Sequence, residues 1–501
     1  MTPSPLRLML VELIPHEPER VNRSQAYPSL MGLGRKLGWK TRWVALGVRY
    51  DPTLRYALEP GDLALLLADA RRLKPDVVVI NERLRESQRA ALAAAGAPAR
   101  VVYCSLERAE DFADFAGFVR RRIQNTRSPL LDDPRLLDKI RPAFRRKDLN
   151  RAPWLSRPFI RVAAGVYCSY RTRAADNPFY RGLELPSPFL SCAFCDSGPA
   201  AKPRRSPLEN APAFIARQVE AACRQRGGAD EAISFELSGS ESWRHLESLV
   251  ATLTRRGVRG AELHFMPRID ELLAARGALE RCLPRMADGG LVLRLYGMSV
   301  ENFSPDENRR FNKGITAEQV HAAVAFMTAM KARWPGRFHP PPGGLSMILF
   351  TPWTSLDDLR VNVDNIERCP MIDRSFALSR RLQLFPGRPI TALAERDGLI
   401  ADKNDDHFYN AGCMTEADQD DLPWRFLHPQ VAVLWRLARR LSCDRGRLPA
   451  DDPDARALER FTAGSAHDPA DPLPLFRRAL EMVSLHPKVD SVLNLLERMK
   501  A

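Results

Sequence analysis

No apolar run in the 501 residues approaches the roughly 18 that a membrane-spanning helix needs. The N-terminal stretch LRLMLVELI contains an acid and lacks a small-residue cleavage site after it, so it reads as a first strand and not as a secretory leader. Lysine is scarce: of 75 basic residues, 64 are Arg and 11 are Lys. The formal charge of +14 invites binding to a phosphate backbone. Yet the arginines are spread along the whole chain, and the densest groups, RRR at 120–122, FRRK at 144–147 and KPRR at 202–205, lack interleaved aromatics. That pattern is a compositional bias and argues against nucleic acid as a partner. A cytoplasmic protein with no membrane partner is expected, in which nine scattered cysteines are thiols, ligands or core residues and not a disulfide framework. Nowhere does a second CxxC or an HxxxH accompany the single CAFC, which weakens a closed four-ligand zinc site.

The length implies two or three domains. Short β-branched runs, LRLMLVELI, TRWVALGV (41–48), DVVVINER (76–83) and ARVVYCS (99–105), alternate with helical periods such as PGDLALLLADARRL and LRESQRAALAAAG. This is the α/β pattern of a Rossmann-like parallel sheet over residues 1–127. A charged, proline-punctuated stretch at 128–158 reads as a linker. A second series runs through FIRVAAGVYC (159–168), AISFELSG (232–239), AELHFMPR (261–268), LVLRLYGM (291–298), LSMILFTP (345–352) and SFALSRRLQLF (375–385). Six strands with crossover helices between them predict a partial (β/α)6 barrel of the TIM type over 159–400, with chemistry at the C-terminal strand ends. PWRFLHPQVAVLWRLARRLS and PLPLFRRALEMVSLHP have helical periods, so 401–501 is expected to be a mainly helical appendage that covers the barrel.

SPFLSCAFCDSG puts Cys192 and Cys195 on a loop between a proline and a glycine. Three thiolates are enough for a four-iron four-sulfur cluster with one iron open to a small molecule, whereas a lone CxxC is also compatible with a core or zinc role. The nearest upstream cysteine, Cys168, ends the first strand of the second series. Among the remaining cysteines, Cys104, Cys223, Cys282, Cys369 and Cys443 are expected to be structural. Cys413, in the polar stretch YNAGCMTEAD, is a weak candidate for an acid or hydrogen donor facing the substrate. Lone histidines, His16, His245, His264 and His407, are read as surface or core residues.

Around CAFC the sequence resembles the radical S-adenosylmethionine enzymes, whose loop after the first barrel strand carries CxxxCxxC, commonly with an aromatic before the last cysteine, as Phe194 is here. The first half departs from that motif, since Pro188 stands where a cysteine would, and the loop from Cys168 to Cys195 reads as one with an insertion. The resemblance implies Cys168, Cys192 and Cys195 as cluster ligands. SGSES resembles the segment that holds the amino group of S-adenosylmethionine, which implies Gly239, Ser240 and Glu241 as cofactor-binding residues. YGMSVENFSPDENRRFNKGIT resembles a later signature with Glu301 as its acid and Asn312, Lys313 and Gly314 as its turn. LQLFPGRPITALAERDGLI resembles the segment that closes the barrel in cobalamin-associated members, with Arg388 where threonine is usual. Each residue also has a plainer reading: Glu241 as a first-turn helix acid, Gly239 as a turn, Glu301 in solvent. Arg268 and Arg294 point either into the barrel or out to a helix; Arg268 is taken as cofactor-binding.

The family implies reductive cleavage of S-adenosylmethionine at the cluster and hydrogen abstraction from an unidentified small molecule or peptide. It also implies an electron donor such as a flavodoxin or ferredoxin. YPSLMGLGRKLGW and the strand order before the barrel resemble the small domain of members that bind cobalamin, which makes methyl transfer or natural-product tailoring the expected outcome. The usual DxHxxG loop is absent, and His16 in IPHEPER lacks its flanking aspartate and glycine, so any cobalamin would be held without a histidine on cobalt. The alternative, from a different class, is a non-catalytic basic protein that binds nucleic acid through a structural metal.

Overall fold

The computed structural model describes residues 5–15, 23–24, 26–50, 56–58, 60–80, 86–95, 100–103, 115–123, 128–133, 136–140, 143, 159–163, 168, 170–185, 189–195, 211–224, 232–238, 240–385, 387–401, 422, 424–442, 452–463, 468 and 471–500. Its strands are β1 (Arg7–Pro15), β2 (Arg23–Ser24), β3 (Lys40–Tyr50), β4 (Tyr56–Leu58), β5 (Val77–Ile80), β6 (Val101–Tyr103), β7 (Phe159–Ala163), β8 (Ile233–Ser238), β9 (Ala261–Phe265), β10 (Val292–Leu295), β11 (Ser299–Glu301), β12 (Phe338–His339) and β13 (Ser346–Met347).

The first sheet has the order β4-β3-β1-β5-β6, parallel except for the edge pair β3–β4. Its strands bury apolar side chains on both sides, with Glu12 of β1 the buried exception, accepting from Trp43 Nε1 at 3.1 Å. Leu8, Leu10, Val77 and Val79 join one core cluster, while Met9, Val11, Leu13, Val78 and Ile80 join another with Leu66 and Ala70 of helix Pro60–Leu73. That double burial is what an all-parallel core with helices on both faces requires. Helix Ala26–Lys36 lies so close to β3 that a Cβ on Gly34 would stand 2.3 Å from Thr41 Cγ2, so glycine is the residue the packing admits.

The second sheet is parallel, with the order β12-β10-β9-β8-β7-β2. Four of the expected strands appear in it as β7 to β10. The other two are corrected. Phe338–His339 takes the edge beside β10, Ser346–Met347 pairs instead with β11, and the segment expected as a strand at 375–385 begins with helix Arg374–Leu378 and keeps only a bridge from Arg381 to Phe350. An aspartate cap explains the helical start: Asp373 accepts from Phe376 N at 2.8 Å. The sheet's other edge comes from the N-terminal region, because Arg23 and Ser24 pair with Ile160 and Arg161. Within the stretch read as a linker, Leu131, Leu136, Ile140 and Ala143 are buried in the main core, so it is packed structure in part.

Helices Pro429–Leu441, Pro453–Thr462, Leu473–Leu485 and Val492–Lys500 form the C-terminal region and share the main core with the second sheet. Among the described residues no helix is long and apolar enough to cross a membrane.

Candidate functional site around Cys192

The second sheet alternates strictly. Ile233, Phe235, Leu237, Leu263, Phe265, Leu293, Leu295 and Phe338 pack into the main core with Leu249, Leu253, Leu283 and Met327 of the flanking helices. The opposite face is polar. Cross-strand register puts Glu236, His264, Arg294 and His339 in one row, with Ser234 and Glu262 one layer below. Glu262 accepts from Ser234 Oγ at 3.1 Å and lies 3.4 Å from His264 Nε2 and 3.7 Å from Arg294 Nε. His264, Arg294 and Ser234 hold its carboxyl down at about 2 against the opposing effect of burial. Burial, reinforced by Arg294, lowers the His339 imidazole below its usual range. The sequence reading took His264 as a lone histidine and missed Glu236 and Glu262; the period-two spacing of polar residues, Ser234 and Glu236 in AISFELSG and Glu262 and His264 in AELHFMPR, was the available signal.

From β9 the chain runs through Pro267 to Arg268, which turns inward and not out to a helix. Its Nη1 donates to Cys192 Sγ at 3.6 Å, its Nη2 to the Lys313 carbonyl at 2.7 Å and its Nε to Asp270 at 2.9 Å, while its guanidinium lies 3.9 Å above the Tyr170 ring. Cys192 is buried, and Cys195 closes a turn by donating its N–H to the Cys192 carbonyl at 3.0 Å. Burial pushes the Cys192 thiol up to about 11, while Lys313 and Arg268 pull the other way. Phe194 packs edge-on against Phe311 at 5.3 Å.

Asn312 is the socket of this loop. Its backbone is left-handed at φ +53, and its Nδ2 donates to the Ser191 carbonyl at 2.9 Å and the Thr172 carbonyl at 3.2 Å. Asn177 reaches back to the Arg309 carbonyl at 2.6 Å, Tyr180 donates to the Arg310 carbonyl, and Ala193 N donates to Phe311 O at 2.8 Å. Gly314, at φ +67, leaves room for Tyr170, whose hydroxyl would lie 2.9 Å from any Cβ there. Ile390 N, on helix Pro389–Arg396, donates to the Ala193 carbonyl at 3.3 Å. The NKG turn and the segment around Pro389 thus grip the cysteine loop from two sides, and Arg388 stands at that helix's N-cap position without a side-chain cap.

Glu301 is buried and not in solvent. It adopts a left-handed φ of +66, which costs a non-glycine residue about 1–2 kcal/mol, and accepts from Lys313 Nζ at 2.9 Å. Behind it lies a buried polar lattice. Asn362 Oδ1 accepts from Phe303 N, and Asn302 Oδ1 accepts from Ser304 N and Asn362 Nδ2, at 2.8 to 2.9 Å. Glu307, fully buried, accepts from Thr351 Oγ1 at 2.9 Å and pairs with Arg310.

Cys168 is half-buried and lies two residues before Tyr170, the ring beneath Arg268. Among the described residues no three His, Cys, Asp or Glu side chains are grouped so as to hold a metal ion. The donor set is therefore the Cys192–Cys195 turn with Arg268 and Lys313 beside it, a setting that suits thiolates and an anionic group; Cys168, expected to join them, is not grouped with them among the described residues. Gly239 lies outside the described residues, and Ser240 and Glu241 fall on helix Ser240–Arg244 with only their backbone described. Cys413, His16, His407, Cys104 and Cys443 also lie outside the described residues. Cys282 and Cys369 are buried in the main core, and Cys223 is packed against it.

Two solved structures share this fold. The apo, selenomethionine-labelled cobalamin-dependent S-adenosylmethionine radical enzyme OxsB matches with a TM-score of 0.57 and 14% identity over 99% of this chain and 75% of its own. The same enzyme with aqua-cobalamin bound matches with a TM-score of 0.55 and 12% identity over the same shares. No protein-family model and no curated sequence matches this chain. The fold of OxsB is thus shared along nearly the whole of this chain.

Proposed function

We propose that the protein is a radical S-adenosylmethionine enzyme, with the first sheet as a Rossmann-like, cobalamin-binding-like domain and the second as a partial (β/α)6 barrel. One observation carries this reading: the Cys192–Cys195 turn is fixed beside Arg268, just past the end of β9, and Lys313, in a fold shared with OxsB. Cys168, Cys192 and Cys195 would hold a four-iron four-sulfur cluster. When bound, such a cluster supplies the electron for reductive cleavage of S-adenosylmethionine and hydrogen abstraction. The chain's own part is positional. Asn312 and Ala193 hold the loop, Arg268 and Lys313 offset thiolate charge, and Gly239, Ser240 and Glu241 would meet the amino group of S-adenosylmethionine. Phe194 would flank the cluster, and the row Glu236, His264 and Arg294 would face substrate.

Nothing in the fold favours the alternative of a nucleic-acid-binding protein. A flavodoxin or ferredoxin would supply electrons, the cytosol would keep the thiols reduced, and the substrate would be a small molecule or peptide. Cobalamin would enter at the C-terminal ends of β1, β5 and β6, where the following residues, 16–22, 81–85 and 104–114, lie outside the described ones. The test is anaerobic reconstitution with iron and sulfide, then dithionite and S-adenosylmethionine, assayed for 5′-deoxyadenosine and S-adenosylhomocysteine. Production of 5′-deoxyadenosine is expected, and its absence from a fully reconstituted protein overturns the reading. Full iron content in Cys168→Ala would remove Cys168 from the ligand set. Gel filtration with hydroxocobalamin decides the corrin separately: no co-eluting absorbance removes methyl transfer and leaves the cluster chemistry standing.

A further inference from the structure

The short bridge between Phe350 and Arg381 carries a feature that the cysteine site does not use. Leu382 N donates to Phe350 O at 2.7 Å and Phe350 N to Arg380 O at 3.1 Å, so Phe350 and Arg381 stand side by side in parallel register. The Phe350 ring meets Trp435 of helix Pro429–Leu441 edge-on at 5.1 Å, and the Arg439 guanidinium lies 5.7 Å from the Trp435 ring centre. Two donors here have no acceptor. Arg381 Nη1 and Trp435 Nε1 are both buried without a hydrogen-bond partner. Burial, together with the charge of Arg439, brings the Arg381 guanidinium down to about 10.

Leaving a buried guanidinium uncompensated is costly, because its hydration is lost and no carboxylate replaces it. An indole N–H in the same state adds to that cost. Arg381 by the bridge and Trp435 by its ring both flank Phe350, and among the described residues neither unpartnered donor meets an acid, so the missing component is an acceptor of negative charge. We propose that Arg381, Trp435 and Arg439 form a site for a small oxyanion, a carboxylate or phosphate group, lodged between the bridge and the C-terminal helices. Arg381 is only partly covered as a residue, which leaves the site a route to solvent. A planar guanidinium fork and an indole N–H, both next to Phe350, suit the several acceptor oxygens of an oxyanion better than a halide. This inference is independent of the cluster chemistry and shares no residue with the Cys192 site.

The test compares thermal unfolding of the full chain in chloride, phosphate and acetate at matched ionic strength and pH, for wild type, Arg381→Met and Trp435→Phe. Wild type should show a saturable rise in midpoint, of roughly 2 °C or more, in phosphate or in acetate. The stronger of the two arms identifies the group as phosphate or carboxylate. Arg381→Met should lose the rise, and its midpoint in chloride should be no lower than wild type, because an uncompensated charge has gone. Trp435→Phe keeps the ring packing and should bind the same anion about tenfold more weakly. Equal midpoints in all three salts for wild type, or undiminished anion binding in Trp435→Phe, overturns the proposal. So does an unchanged rise in Arg381→Met.

Discussion

In the first sheet Leu8, Leu10, Val77 and Val79 turn one way, Met9, Val11, Val78 and Ile80 turn the other, and all eight are buried in apolar clusters. In the second sheet Phe235, Leu263 and Leu293 turn toward helices, while Glu236, His264 and Arg294 turn away from them. A strand buried on both faces has no surface on which to do chemistry, so any ligand of the first sheet must be met by the loops at its strand ends. A strand with one polar face can present side chains along its length. The Cys192 loop is gripped at the end of the sheet of the second kind, and this division between scaffold and working face is what variants can break.

Val79→Asp should have the largest effect. Val79 is fully buried, and a carboxylate there has neither partner nor water, so loss of soluble folded protein is expected, read by expression and circular dichroism. A folded Val79→Asp protein would mean that the first sheet is less dry than its packing shows. Next come the cysteines. Cys192→Ala and Cys195→Ala should each lower iron bound after anaerobic reconstitution by more than about tenfold with little change in the apoprotein's unfolding midpoint. Cys282→Ala and Cys369→Ala, in the core, should keep the iron and lower the midpoint instead. Equal iron in all four would erase the distinction between site and scaffold.

The third test uses pH. Burial raises the Glu307 carboxyl from 4.5 to about 7 in the folded chain. Between those values the native state binds more protons at this site than the unfolded one, so Glu307's contribution to stability falls as pH rises from about 4.5 to about 7, then levels off. The full span is at most about 3 kcal/mol. Glu307→Gln cannot ionise at this site, so its stability curve should lack this fall and differ from wild type by it. Denaturant unfolding at a series of pH values reads the difference, and parallel curves for the two proteins would show that another group carries the slope.

Much of the working sheet was legible because its code is short. CAFC, the NKG turn and the PGRP segment are local patterns, and each lies in the site for a reason that its residues carry: thiols, a left-handed backbone, a glycine and a proline at a helix start. What escaped was non-local. His264 became part of an acid-base group only because β8, β9 and β10 align in register, which no single strand announces. The strand expected at 375–385 failed for a local reason that could have been read, since the aspartate cap before Arg374 favours a helix over an apolar run. The arginine-rich composition gave no hint that Arg268 would lie against Cys192, because its partners come from three separate segments.

Asn312 offers the smallest and most discriminating change, since its side chain and its backbone serve the loop in different ways. The amide ties Ser191 and Thr172 to the turn, and the φ of +53 is one that asparagine and glycine tolerate better than alanine. Asn312→Gly keeps the backbone and removes the amide, so it should cost about 1 kcal/mol for the lost hydrogen bonds. Asn312→Ala removes both and should cost about 2 kcal/mol. In each case hydrogen exchange should quicken in residues 170–195 while β5 is unchanged, because the first sheet has no share in this socket. Should the two variants lose equal stability, the amide alone holds the cysteine loop and the left-handed turn is incidental; should β5 exchange faster as well, the two sheets open as one unit, and the scaffold is coupled to the working face through the core they share.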